Sequence, residues 1–281
     1  MLYLLLAIVS SALISIVMRI SEKHVKNEMT MFMVNYGICI ILALVHLQDK
    51  SQLQLSGDFD YRLTLLLGCG AGILYLVNFV FLKFNMAHNG IVMSTTFMKL
   101  GVLVPTLMAI FIFREMPKAI HIIGILIAVC AIVLIHFEKD ALSESKNKIW
   151  LLLLLFLSGF TDSMANTFEK LGDERTKDIY LFLTFGVAFL IALVITICKK
   201  EKVSGRDVLF GILIGIPNYY SARFLLASLA HVPAVVVYPV YSVATIVTVM
   251  IVGVLAFRER MGKKKMIAMG LIFLALVLLN L

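Results

Sequence analysis

Residues 149–170 read IWLLLLLFLSGFTDSMANTFEK, and residues 2–23 read LYLLLAIVSSALISIVMRISEK. Laid over one another at an offset of 147, Tyr3 meets Trp150, Ser11 meets Ser158, and Glu22-Lys23 meets Glu169-Lys170. Each stretch holds the ~20 apolar residues that a helix needs to cross a hydrocarbon layer. In hydrocarbon, backbone groups must be bonded within their own segment, so each stretch is read as a helix.

Working outward, eight more runs of this kind lie near residues 29–47, 62–84, 90–113, 118–136, 179–198, 207–228, 233–256 and 264–281. With 2–20 and 149–168 they make ten. Of the 281 residues 61% are hydrophobic and 15% charged, with a mean hydropathy of +1.00, against roughly 45–50% and a quarter in soluble domains. A water-soluble enzyme is excluded, because a chain of this size could not hide so much apolar surface. Ten crossings take about 200 residues, and the connections that remain have no room for a soluble domain. The net charge of +8 sits in those connections, for example SEKHVKNE (21–28) and KKEKVSGRD (199–207). That is where membrane topology places lysines. No basic tract interleaved with aromatics suggests a nucleic-acid partner, so lipid is the expected surrounding. Cys39, Cys69, Cys130 and Cys198 all fall inside apolar runs without metal spacing and read as small core residues. No metal or cofactor is expected. The first run lacks a basic leader and reads as a retained helix.

The second half repeats the first. Gly68, Gly72 and Ala87-His88 of the third run match Gly211, Gly215 and Ala230-His231 of the eighth at an offset of 143. Phe113-Arg114-Glu115 matches Phe257-Arg258-Glu259 at 144, and the second and seventh runs share Gly37 and Gly186. Offsets that change only in the connections point to a duplicated unit, 1–137 and 148–281. Five helices per copy is an odd number, so the copies cross in opposite senses. The expected fold is an all-α integral membrane protein of ten transmembrane helices, built as two inverted five-helix repeats. Such repeats build transporters, in which two related halves rock around a site near the midplane. The alternative of another class is a membrane scaffold or receptor with an incidental duplication.

Five plus five helices, Pro105 in the fourth run, and Phe-Arg-Glu closing the fourth and ninth runs resemble the drug/metabolite transporter (DMT) superfamily, in its EamA-like branch. So does a glycine opening the short apolar run that follows each motif, Gly124 and Gly270. The resemblance implies a central cavity lined mainly by the first, third, fourth, sixth, eighth and ninth helices, with the fifth and tenth bracing the outside. It also implies both termini inside and a prokaryotic cytoplasmic (inner) membrane. Organophosphate-exchanging members of the superfamily use a lysine of the fourth helix, which Lys99 resembles by position. They rely on further basic residues in the ninth helix, where this chain has none.

The polar side chains agree with that lining. The fifth and tenth runs carry almost none away from their ends. The first shows Ser11, Ser15 and Arg19 on one helical face, and the sixth Ser158, Asp162 and Asn166 on the same face. The third offers Tyr75 and Asn78, the fourth Thr95 and Lys99, the eighth Asn218, Tyr219 and Arg223, and the ninth Tyr238, Tyr241, Ser242 and Thr245. Lys99, Asp162 and Arg223 lie deep in apolar runs, where each charge costs about 2.5–3.5 kcal/mol and usually faces a cavity or a partner. Two readings stand. Lys99 and Arg223 hold an anionic group of a solute, or Asp162 pairs with one of them structurally. Asp162 is also the candidate carrier of a coupling proton. The tyrosines either pack a solute's apolar body or pack helices with one satisfied hydroxyl. The candidate substrate-binding set is Lys99, Arg223, Asp162, Asn166, Tyr219, Tyr238, Tyr241, Asn78, Thr95 and Asn218. Pro105, Pro217 and Pro239 are expected to interrupt and bend their helices. Glu22, Glu115, Glu169 and Glu259 are expected as interfacial anchors and caps.

The expected function is a secondary active transporter moving a small polar metabolite, anionic or zwitterionic, by alternating access. A coupling proton or a counter-substrate would drive it, since no phosphate-binding loop for ATP is present. Within transport, the alternative is an exporter of amphipathic amino acids or drugs, with the tyrosines dominating recognition. No His-x-x-x-His, Asp-x-x-Asp or Gly-x-Ser-x-Gly arrangement supports an intramembrane enzyme. Lys and Arg gather in the odd-numbered connections, which on the positive-inside rule puts both termini outside. That is opposite to what the resemblance implies.

Overall fold

The computed structural model describes residues 1–21, 24–47, 59–89, 91–136, 148–199, 203–257 and 263–279. Each expected apolar run carries helix: Leu2–Ser21 (α1), Glu28–His46 (α2), Phe59–Asn89 (α3), Ile91–Leu100 (α4), Leu103–Phe111 (α5), Ala119–His136 (α6), Lys148–Leu171 (α7), Lys177–Cys198 (α8), Gly205–Leu229 (α9), Ala234–Phe257 (α10) and Lys263–Leu279 (α11). Seven of these contain a stretch long and apolar enough to cross a membrane. Three shorter apolar stretches, Phe97–Phe111, Ala119–Leu134 and Met266–Leu279, complete the ten runs.

The fourth run is two helices rather than one bent helix. Pro105 was expected to interrupt it, but the break falls three to four residues earlier, at Gly101 and Val102, and Pro105 sits in the first turn of α5. A proline has no N–H and clashes with the carbonyl four residues before it, here that of Gly101. The Gly101 carbonyl instead accepts from Val104 N–H at 2.9 Å. The Met98 carbonyl, displaced from regular pairing by the break, accepts from the Ser158 hydroxyl of α7 at 3.1 Å. Neighbouring hydroxyls commonly re-satisfy backbone groups freed this way in hydrocarbon. By contrast, α9 and α10 continue without a break through Pro217 and Pro239.

The chain divides into two compact units, each taking helices from both halves of the sequence. The first unit is Met1–Leu76 with Thr167–Ser228. Its helices approach closely where glycines remove side chains. A Cβ on Gly72 of α3 would lie 2.5 Å from the Thr184 carbonyl of α8, and one on Gly215 of α9 would lie 2.7 Å from the Asn35 carbonyl of α2. Small residues of this kind let membrane helices pack backbone to backbone. At one end of the unit, buried Asp207 accepts from the N–H groups of Lys26 (2.9 Å) and Ser204 (3.2 Å), tying the α1–α2 connection to the start of α9. At the other end, Asp173 caps the short 3₁₀ turn before α8, and the Thr64 and Thr176 hydroxyls share a hydrogen bond of 2.7 Å.

The second unit is Val77–Asn166 with Leu229–Leu281. Here α6 and α11 pack on one another, with Gly124 inside α6 against Leu279. The outer faces of this pair carry exposed Ile122, Ile123, Leu126, Ile267, Phe273 and Leu274, the surface expected of helices that face lipid. The α4–α5 break lies against α7 at a glycine pair. A Cβ on Gly159 would sit 2.4 Å from Val104 Cβ and 2.6 Å from the Gly101 carbonyl.

Candidate functional site

Three of the ten expected site residues lie in the first unit, all on α9, and all three are bonded within the fold there. Arg223 makes an ion pair with Asp178, at the start of α8, and its guanidinium also donates to the Tyr219 hydroxyl at 3.0 Å. Tyr219 is fully buried, packed between the rings of His46, Phe185 and Tyr220. Asn218 is half-buried and donates to Asn35 of α2 at 3.1 Å, joining the two helices. The structural partner foreseen for one of the cations was Asp162. For Arg223 it is Asp178, one residue before the expected seventh run. A signal exists in the sequence: an arginine well inside an apolar run needs a counter-charge, and Asp178 stands at the start of the apolar run immediately upstream.

The other seven lie in the second unit. Lys99 is the ninth residue of α4, next to the break, and is half-buried. Asp162 of α7 is also half-buried. The two charges act on one another electrostatically, yet among the described residues no ion pair joins them. Tyr238 of α10 is buried, and its hydroxyl donates to the Asp162 backbone carbonyl at 2.6 Å, fastening α10 to α7. Tyr241 is half-buried one turn further on. Thr95 lies on α4, its side chain outside the described residues.

Asn166 stands apart. It is 1% exposed, one turn beyond Asp162 on α7, and among the described residues neither its Oδ1 nor its Nδ2 has a hydrogen-bond partner. The Asn78 Oδ1 of α3 and the Thr245 Oγ1 of α10 are likewise covered and unpartnered. All three belong to the second unit, on α7 and on two of the helices that touch it. Trp150 of α7 packs on Phe81 and Phe84 of α3, and Tyr238 joins α10 to Asp162.

The Phe-Arg-Glu motif also takes on a physical meaning. Arg114 adopts φ +53° after α5, a left-handed conformation uncommon for a residue with a side chain. It turns the chain so that the Glu115 carboxylate accepts from the Val235 N–H at 2.9 Å. Glu115 therefore caps the start of α10, where free N–H groups and the helix dipole favour a negative charge. Glu169, expected as an anchor, pairs with Lys177 at 3.2 Å. Glu22 and Glu259 lie outside the described residues.

Residues 148–281 match the family described as the EamA-like transporter family. The C-terminal half of the chain is thus EamA-like, of the drug/metabolite transporter superfamily. A protein of Haemophilus influenzae, itself described as uncharacterised, is 25% identical over 209 residues, which span 72% of this chain and 70% of that protein. A solved crystal structure superimposes with a TM-score of 0.76, covering 99% of this chain and 94% of its own at 13% identity. That likeness shows the fold.

As an EamA-like transporter, the chain is an integral membrane protein whose role is membrane transport of a small molecule, and its family is typically not enzymatic. Within this EamA-like chain the site candidates separate by what they already bond. Arg223, Tyr219, Asn218 and Tyr238 have partners within the protein. Among the described residues Lys99 and Asp162 interact electrostatically without an ion pair, and Asn166 and the Asn78 carbonyl oxygen have unmet hydrogen bonds.

Proposed function

We propose that the protein is a secondary active transporter that moves a small dipolar solute, one carrying both an anionic and a cationic group, across a prokaryotic cytoplasmic membrane by alternating access. One observation carries this reading: among the described residues, the opposite charges Lys99 and Asp162 inside the apolar runs are not closed into an ion pair as Arg223 and Asp178 are. Arg223 is met by Asp178, whereas Lys99 and Asp162 act on one another electrostatically with no ion pair between them among the described residues. Two opposite charges held apart in one unit suit a ligand whose carboxylate meets Lys99 and whose ammonium meets Asp162. A purely anionic solute fits less well, because it would bring a negative charge beside Asp162.

Asp162 remains the candidate for a coupling proton, with exchange against a counter-substrate as the other driving mode. The duplication into 1–137 and 148–281, with inverted copies, belongs to the same proposal. It is supported by the matched glycines. Gly72 brings the third run against the seventh, and its counterpart Gly215 brings the eighth against the second. The amphipathic-drug alternative leaned on the tyrosines, and Tyr219 and Tyr238 both have their hydroxyls bonded within the protein, which counts against it.

The test is a ligand-induced thermal-shift screen on purified protein, with Lys99→Ala and Arg223→Ala alongside. A ligand at 100 times its Kd stabilises by about 2.7 kcal/mol. Amino acids should stabilise the wild type, and Lys99→Ala should lose that response. Stabilisation by simple carboxylates or by apolar cations alone, unchanged in Lys99→Ala, would overturn the dipolar-solute reading.

A further inference from the structure

We infer that Asn166 reads an amide edge on the transported solute, so that the solute carries a carboxamide or a cyclic amide in addition to its charges. The inference rests on the transport reading above and deepens it. A primary carboxamide presents an acceptor and a donor side by side in one plane. In Asn166 both are buried and neither has a partner, at 1% residue exposure. Leaving a buried polar group unmatched costs stability, so a hydrogen-bonding group left in this state points to a partner that the bare chain does not supply.

The shape of the deficit selects the partner. A carboxylate could accept from Nδ2 but would leave Oδ1 unmatched, and an ammonium would do the reverse. With the solute's carboxylate and ammonium taken by Lys99 and Asp162, a single planar group offering a donor beside an acceptor, as a carboxamide, lactam or pyrimidine edge does, matches the two Asn166 atoms at once. The other covered and unpartnered atoms on the adjoining helices, Asn78 Oδ1 and Thr245 Oγ1, can each accept, and a solute rich in N–H groups would serve them. Asp162 stands one turn away on the same face of α7, which places the amide reader beside the charge that would hold the solute's cationic end.

The experiment measures apparent affinity by thermal shift, and by flux in proteoliposomes, for matched pairs of probes. Glutamine is set against norleucine and glutamate, and uncharged cyclic amides such as uracil are set against benzene-ring analogues. Wild type should favour the amide member by about tenfold, the value of two net hydrogen bonds. Asn166→Leu, similar in size and apolar, should bring that ratio to about one. It should also be no less heat-stable than wild type without ligand, because it removes unmatched polar atoms without breaking a bond. A wild type indifferent to the amide, or an Asn166→Leu protein that keeps the preference, overturns the inference. So does an Asn166→Leu protein that is markedly less stable, which would mean that the amide is bonded structurally. If dipolar solutes fail while uracil-type amides discriminate through Asn166, the dipolar reading falls and this inference stands. If no amide binds, it falls.

Discussion

Replacing Gly159 by alanine tests the packing that shapes the second unit. A Cβ at this position would lie 2.4 Å from both Cβ and Cγ2 of Val104 and 2.6 Å from the Gly101 carbonyl oxygen. Carbon atoms in favourable contact stand about 3.5–4.0 Å apart, so α7 must withdraw from the α4–α5 break by more than an ångström. Neither obstacle is the free end of a flexible side chain, and one of them is backbone. Overpacking of this kind costs about 1–3 kcal/mol, and withdrawal would also stretch the 3.1 Å bond from the Ser158 hydroxyl to the Met98 carbonyl. Against this, alanine in a helix interior gains about 1 kcal/mol over glycine. Gly70 and Gly186 make the control, since a Cβ on either meets nothing within 4 Å. The assay is thermal unfolding of the purified proteins under one scan rate. Gly159→Ala should unfold at a clearly lower temperature than wild type, while Gly70→Ala and Gly186→Ala should match or exceed it. A Gly159→Ala protein as stable as the controls would refute the close approach of α7 to the break.

Two further outcomes follow from the bonded charges. Asp178→Asn and Arg223→Gln should each destabilise, and because the two side chains keep 20% and 28% exposure, the cost should lie near the lower end of the about 1.5–3 kcal/mol typical of charged hydrogen bonds. A double-mutant cycle checks this: the double variant should lose less than the sum, and strict additivity would contradict the pair. Glu115→Ala should cost about 1 kcal/mol as a lost helix cap, read by thermal unfolding, with Glu115→Gln retaining part of the effect. An unchanged Glu115→Ala protein would show that the cap on α10 contributes nothing.

Helix placement was legible because hydrocarbon leaves the backbone few options, and the ten apolar runs match helices to within a few residues at most ends. What escaped the sequence depended on neighbours. Pro105 correctly marked trouble in the fourth run, yet the chain yields at Gly101, the residue whose carbonyl the proline crowds and the one with least side chain to oppose a change of direction. Arg223 was rightly flagged as needing either a cavity or a partner. Its partner is Asp178, 45 positions away, and no periodicity relates the two. Whether a buried tyrosine bonds the protein or awaits a solute is settled only by what stands opposite. The hydroxyls of Tyr219 and Tyr238 meet Arg223 and the Asp162 carbonyl. The same one-turn spacing on α7 that marks Asp162 and Asn166 gives no hint that the backbone carbonyl of one accepts from a tyrosine while the side-chain amide of the other has no hydrogen-bond partner among the described residues.

The central claim is that a dipolar solute crosses through the second unit on Lys99 and Asp162. Counterflow of labelled amino acids into proteoliposomes tests it most directly, comparing wild type with Lys99→Ala, Asp162→Asn and, as the structural control, the Asp178→Asn/Arg223→Gln double variant. The account predicts saturable uptake by wild type, loss of uptake in Lys99→Ala and Asp162→Asn at normal protein levels, and retained uptake in the control. Saturable uptake that persists in both Lys99→Ala and Asp162→Asn but vanishes in the control would contradict it and move the solute's charge to Arg223.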